Sequence, residues 1–414
     1  MELIEKIKKH GFKGSFIVCG WHCARLINKL LYYFCWIFPV DKKLILLESE
    51  GDLSDNAFAL YDYMLRNGYL NKYKVVWLVE NVKKAREKKY KNTDFVRKTS
   101  NAISCRRSKY LATCRYFLYD HNNVMEPLTK RRMCYVLNLR HGCGFKAAKG
   151  KIGKQKTKPD MIVTTGHLYD ENFMVRFNCT RSELIDCGFS RNDYFFEDKN
   201  SRQVAFEQDY NLSEYKKVFL WMPTFRKSNT PDLNEDYFHS STGLPIIDDL
   251  DKLRTFNSFL KTHDSLCIFK IHHLQATVNT IKESFGNILL LNDEDINRRG
   301  LQLYHIVPLT DCLITDYSSI ANDYMLLNRP IVYTVDDYEE YRKSRGFVPE
   351  DPIEYFAGEC VKDYNQFIEA IQRVLDGEDR YKEKRKKLMP LMHTHIDGKS
   401  SQRILKHLNI EING

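Results

Sequence analysis

Residues 309–330 read LTDCLITDYSSIANDYMLLNRP. The apolar run 312–315 has the length and composition of a buried parallel strand. It stops at Asp316, and Ser318 and Ser319 follow as natural helix N-caps. After them Ile320, Tyr324 and Leu327 recur at helical spacing. Strand, polar turn and helix N-terminus in that order predict an anion site. The helix start offers unpaired backbone N–H groups and a positive dipole end, and the serine hydroxyls add donors. The same order also describes an ordinary capped helix of an α/β protein, so the neighbouring segments have to decide.

Working outward, this run is one of a series of short apolar segments: 218–222, 266–271, 288–291, 312–315 and 331–334. A first series precedes it at 44–47, 75–79, 116–119, 133–139, 161–164 and 184–186, with helical stretches such as 57–66 between. Apolar strands alternating with helices predict parallel sheets covered on both faces. Two series predict two Rossmann-like domains joined near 192–216. The expected division is a segment 1–40, a first domain 41–195, a second domain 196–390 and a C-terminal helix 391–414. The polar segment 227–241 reads as a loop and 367–406 as C-terminal helices.

At 414 residues the chain has room for two cores. Lys+Arg exceed Asp+Glu by 64 − 54, or +10, which suits phosphorylated substrates, anionic lipid or nucleic acid without choosing among them. No nucleic-acid-binding module accompanies the charge, so no nucleic acid partner is expected. The twelve cysteines contain no C-x-x-C pair, and His22 and Cys23 have no matching second pair. They read as thiols in a reducing compartment, not as a zinc site. The hydrophobic run 30–40 is too short to span a bilayer and has no small-residue cleavage site, so no cleavable signal peptide is expected. Residues 1–40 mix lysines with Phe16, Trp21, Tyr32, Phe34 and Trp36. They predict either an interfacial helix on an anionic membrane or a helix packed on the first domain.

In an open parallel sheet, ligands sit beyond the carboxyl ends of the strands. Arg140, His141 and Lys146 follow the run 133–139; Pro223, Thr224, Phe225 and Arg226 follow 218–222. The run 266–271 leads into His272 and His273, and strand alternation puts Lys270 and His272 on one face. Two histidines, an arginine and a helix start at strand ends suit transfer of a phosphorylated group. Donors there stabilise phosphate charge, and a histidine moves a proton. Lysines 146, 149, 151, 154, 156 and 158 follow the first histidine, either guiding an anionic acceptor or forming a solvated loop.

The order of these segments resembles the CDP-glycerol:poly(glycerophosphate) glycerophosphotransferase family of teichoic-acid and capsule assembly. Glu48-Ser49 and Ser54-Asp55-Asn56 are similar to its early E-S…S-D-N, and His141-Gly142-x-x-x-Lys146 to its H-G-T-P-L-K. Gly188 to Asp193 resembles G-Y-P-R-N-D, Pro223 to Arg226 matches P-T-F-R, and Lys270-x-His272 matches K-x-H-P. The most specific match is Leu313 to Ser319, with Asp323-Tyr324, Arg329-Pro330, Glu340-Tyr341 and Arg345-Gly346-Phe347 behind it. Cys143, Gly144, Ser190 and His273 depart from the pattern, and all four departures spare the charged and imidazole groups.

The resemblance implies a GT-B fold, two Rossmann-like domains facing across a cleft, and an enzyme. A polyol phosphate, in first place glycerol phosphate, passes from CDP-glycerol or a similar CDP-polyol to a hydroxyl, and CMP leaves. The implied acceptor is a lipid-linked saccharide or polyol phosphate, met at the cytoplasmic face of the membrane by a peripheral enzyme on an anionic surface. His141 is then the candidate general base, and His272, with Lys270, contacts the donor pyrophosphate and helps CMP leave, which makes it the second candidate catalytic residue. Arg226, Ser318 and Ser319 bind phosphate oxygens; Asp316 and Asp323 contact the donor or order its loop. Lys146, Arg191, Asn192, Asp193 and Thr224 complete the matched motifs. No protein-held cofactor is implied, although Mg2+ could accompany the pyrophosphate. The alternatives are a GT-B glycosyltransferase using a nucleotide sugar and an inactive binding protein for anionic polymers.

Overall fold

Strands form where branched and aromatic side chains run together without charges, so that both faces can be buried. The computed structural model describes residues 2–121, 123–147, 157–224, 240–270 and 283–412, with side chains from residue 17 onward. The first seven strands are β1 (Asp41–Glu48), β2 (Lys74–Val79), β3 (Thr93–Arg97), β4 (Cys114–Tyr119), β5 (Tyr135–Asn138), β6 (Met161–Thr164) and β7 (Leu184–Asp186). They pair in parallel in the order β3-β2-β1-β4-β5-β6-β7. The next six are β8 (Lys217–Met222), β9 (Ser265–Lys270), β10 (Ile288–Leu291), β11 (Cys312–Thr315), β12 (Ile331–Thr334) and β13 (Glu359–Val361). They form a second parallel sheet, β10-β9-β8-β11-β12-β13. Two doubly wound sheets of this kind are the Rossmann-like pair of the GT-B fold.

Two edge strands escape sequence pattern. β3 is half-polar and β13 has three residues, with only Val361 fully buried. Central strands are legible because they are apolar throughout: every residue of β9 is buried, and Trp77 of β2 and Trp221 of β8 are inaccessible. Trp221 packs edge-on to Phe256 and Phe269 at 5.9 and 5.2 Å. Truncating an aromatic in such a setting costs about 3–5 kcal/mol.

In both sheets the strand order reverses beside the first strand of its series, between β1 and β4 and between β8 and β11. Crossover helices leave the sheet in opposite directions there, opening a crevice at the strand ends. The C-terminal end of the chain returns to the first sheet. The Asp193 carboxylate accepts from Ser400 N and Ser401 N, both at 2.8 Å, at the start of helix Ser400–His407. Tyr116 Oη donates to the Leu408 carbonyl at 3.0 Å.

The N-terminal helix spans Glu2–Phe34 and lies on the first domain. Asn28 donates to Ser100 O and Ala102 O, and Tyr32 Oη to Thr129 O. Packing of this helix on the first domain is therefore observed. Its opposite side exposes Leu26, Leu30 and Phe34. No helix among the described residues is long and apolar enough to cross a membrane.

Candidate active site

The chain leaves β5 through a turn that Asn138 organises, its Oδ1 accepting from Arg140 N at 2.9 Å. Asn56 Nδ2 donates to the Arg140 carbonyl at 2.7 Å and holds the left-handed backbone of Arg140, φ +59°. A non-glycine residue in that region is uncommon and strained. The turn delivers His141 to the wall of a cleft of about 430 Å³ between the two sheets. His141 Nδ1 lies 3.2 Å from the Asp120 carbonyl. A carbonyl only accepts, so Nδ1 carries the hydrogen and Nε2 keeps its lone pair. Burial, then the Arg140 guanidinium, then His121 hold the His141 pKa well below the usual histidine range. It stands as a neutral, oriented base.

His121 is stacked on it, ring centroids 3.9 Å apart and 15° from parallel. Its Nδ1 meets Asp120 Oδ1 at 3.0 Å and its Nε2 meets Glu50 Oε2 at 2.9 Å. Burial pulls the His121 pKa down, but the two carboxylates outweigh it and push it up to about 9. One imidazole of the stack is thus charged at neutral pH and the other is not.

The opposite wall comes from β8, β9 and the turn after β11. Lys270, buried at the end of β9, pairs with Asp293 at 3.1 Å and lines the cleft with Ser318 and Ser319. The helix expected after the serines runs Ile320–Tyr324 and continues as a 3-10 turn over Met325–Leu327, and the Ser319 side chain makes no capping hydrogen bond. Its hydroxyl instead faces Gly142 across the cleft, where a Cβ would lie 2.4 Å from Ser319 Oγ. Two domains approach this closely only at a glycine.

Several expected site residues are braces. Asp316 is buried and accepts from Thr224 N at 2.8 Å and Thr224 Oγ1 at 2.6 Å, which joins the turn after β11 to the end of β8. Lys146 reaches over from the first domain and donates to the same Thr224 Oγ1 at 2.9 Å. Asp323 accepts from Arg191 at 2.7 Å and Asn192 at 3.1 Å, and also from Tyr304 Oη at hydrogen-bond distance. These partners take both its oxygens. Arg191 also pairs with Asp55 at 2.6 Å, so it joins Asp55 of the first domain to Asp323 of the second. Asp193 caps the C-terminal helix, as described. Arg226 and His272, with His273 and Lys149 to Lys156, lie outside the described residues.

The cleft thus gathers His141, Lys146, Arg191, Thr224, Lys270, Ser318 and Ser319. Sequence reading missed Glu50, His121 and Arg176, and it placed Arg140 at a strand end without giving it a role of its own. His121 comes just after β4, behind Asp120, at the strand-order reversal, and that position was the available signal. Asp55, Asp120 and His121 bring possible ligand atoms within 4.8 Å of one another. They do not fit a metal: both ring nitrogens of His121 face carboxylates, Asp120 Oδ2 takes Ala57 N, and Asp55 holds Arg191. This is a protonated hydrogen-bond network, without a free lone pair on the imidazole.

The model of the CDP-Glycerol:Poly(glycerophosphate) glycerophosphotransferase family matches residues 30–409. The teichoic acid ribitol-phosphate primase of Bacillus spizizenii is 28% identical over 391 residues, 89% of this chain and 91% of that protein. The teichoic acid poly(glycerol phosphate) polymerase of the same organism is 25% identical over 373 residues, covering 84% and 87%. In fold, the chain resembles the wall teichoic acid polymerase TagF with a TM-score of 0.74 at 20% identity, covering 99% of this chain and 98% of that one.

Proposed function

This chain belongs to the CDP-glycerol:poly(glycerophosphate) glycerophosphotransferase family, and from that premise we propose how its cleft works. It is a transferase that moves a polyol phosphate from a CDP-activated donor to a hydroxyl in teichoic-acid-type synthesis, with CMP leaving. The proposed donor is CDP-glycerol, and the proposed acceptor is a lipid-linked saccharide or polyol phosphate. The observation that carries this reading is neutral His141, tautomer set by the Asp120 carbonyl, opposite Lys270, Ser318 and Ser319 in one cleft.

His141 Nε2 takes the proton of the acceptor hydroxyl as the oxygen attacks the phosphorus next to the polyol. The bond from that phosphorus to the bridging oxygen breaks, and CMP departs with the electron pair. Lys270 and the two serine hydroxyls face the phosphates and offset the charge that builds on them. Arg226 and His272 join that wall in our reading, on the strength of the matched P-T-F-R and K-x-H motifs. Residues 41–195 serve the acceptor, 196–390 the donor, and 391–414 fasten the chain back onto the first domain. The enzyme works peripherally at the cytoplasmic face of the membrane, a placement supported by the exposed apolar row of the N-terminal helix.

The test offers purified protein CDP-glycerol, CDP-ribitol and UDP-sugars with membranes as acceptor source. CMP release from a CDP-polyol is expected, lowered roughly 10²–10⁴-fold in His141→Ala with little change in donor affinity. UDP release from a UDP-sugar as the only turnover would replace the reading with glycosyl transfer. Normal turnover by His141→Ala would remove this histidine from the mechanism.

A further inference from the structure

Arg140 is 4% exposed, yet no carboxylate among the described residues forms an ion pair with it. Its guanidinium stands over Phe177 and Phe173 at 4.7 and 5.1 Å. Nη2 makes a long 3.4 Å bond to the Gly142 carbonyl, and Nε is buried with no acceptor. Arg176, half-buried on helix Asp170–Phe177, lines the same wall of the cleft and also has no carboxylate partner among the described residues. Arg191 in the same cleft shows the contrast, held between Asp55 and Asp323. Burying a guanidinium without an anion costs several kcal/mol, and placing a second one beside it adds repulsion. Burial first, and Arg176 next, push the Arg140 pKa down to about 9. The strained backbone at Arg140 adds to the cost, and a fold keeps such an arrangement where a ligand completes it.

We propose that Arg140 and Arg176 form the subsite that holds the phosphate group of the acceptor. This rests on the proposed transferase reading and assigns the side chains that recognise its acceptor. Both arginines come from the first domain, whereas Lys270, Ser318 and Ser319 come from the second, so acceptor and donor phosphates occupy opposite walls. Planar guanidinium groups suit the paired oxygens of a phosphate. The subsite also acts on the base. Arg140 and Arg176 are among the charges that depress His141, and an anion between them offsets that effect. The base strengthens when the acceptor arrives.

The experiment compares glycerol 3-phosphate with glycerol as soluble acceptors, using CDP-glycerol as donor. Wild type should prefer the phosphorylated acceptor. Arg140→Gln and Arg176→Gln should each lower its kcat/KM by about 10–100-fold, the scale of a lost charged hydrogen bond, and bring the two acceptors closer together. An equal loss for both acceptors overturns the proposal, and so does an effect confined to the KM for CDP-glycerol. Arg176→Gln, on a half-buried position, keeps the test valid if Arg140→Gln misfolds. A second measurement needs no turnover: binding of inorganic phosphate at saturating CMP, followed by calorimetry and by NMR of the His141 ring. Binding lost in the variants, with an upward shift of the His141 pKa in wild type, supports the subsite even if CDP-glycerol is not the donor. Displacement of the phosphate by CMP assigns the arginines to the donor and overturns it.

Discussion

His121 and His141 are the same side chain in two environments, and the difference is made by what faces each ring. Two carboxylates face His121, and a carbonyl with two cationic neighbours faces His141. When His141 takes a proton, two like charges stand 3.9 Å apart, a repulsion on the order of a few kcal/mol that speeds release of the proton. His121→Gln should raise the His141 pKa and move the acid limb of the pH–kcat/KM profile to higher pH. Stability gives an independent readout. A histidine whose folded pKa is raised stabilises fully below its unfolded value near 6.5, and that contribution is lost as pH rises through about 9. Wild type should therefore lose on the order of 2–3 kcal/mol between those values, and His121→Gln should show a flatter slope. Equal slopes in denaturation at several pH values would remove the charge from His121. This pairing was not legible in sequence, because 20 residues separate the rings and only packing of β4 beside β5 stacks them.

Among the elements, the N-terminal helix has two apolar sides. Ala24, Asn28 and Tyr32 turn to the first domain, while Leu26, Leu30 and Phe34 repeat every fourth residue at 60, 62 and 66% exposure. A row of this kind beside basic residues suits a bilayer interface. Changing the three exposed residues to Gln should reduce co-sedimentation with anionic vesicles and leave the thermal midpoint nearly unchanged, since none is buried. Undiminished binding would assign the row some other role. The sequence held both alternatives for this helix because its apolar residues do not segregate to a single side. The turn after β11 failed differently. Two serines before a periodic run read as caps, and the helical run does follow them, but Ser319 makes no capping bond and packs against Gly142 instead.

At the scale of the whole molecule, Arg191 is one of the links between domains, with Asp55 on one side and Asp323 on the other. All three are largely buried, so Arg191→Met should destabilise by about 3–5 kcal/mol through the uncompensated carboxylates. Pairing it with Asp323→Asn should recover part of that loss in urea unfolding; no recovery would mean the brace acts through packing alone. By itself the sequence determined the two-sheet architecture, since eleven strands are marked by apolar runs that only a doubly covered sheet can bury. It also pointed to the loops that line the cleft, because strand ends are where such sheets open and His141, Lys270, Ser318 and Ser319 all follow strands or end them. Tertiary structure alone decided which of those residues face the cleft and which brace it. A carboxylate such as Asp316 or Asp323 looks the same in sequence whether it meets a substrate or a buried donor. The difference arises only when Thr224, Arg191 and Tyr304, distant in the chain, are packed against its oxygens.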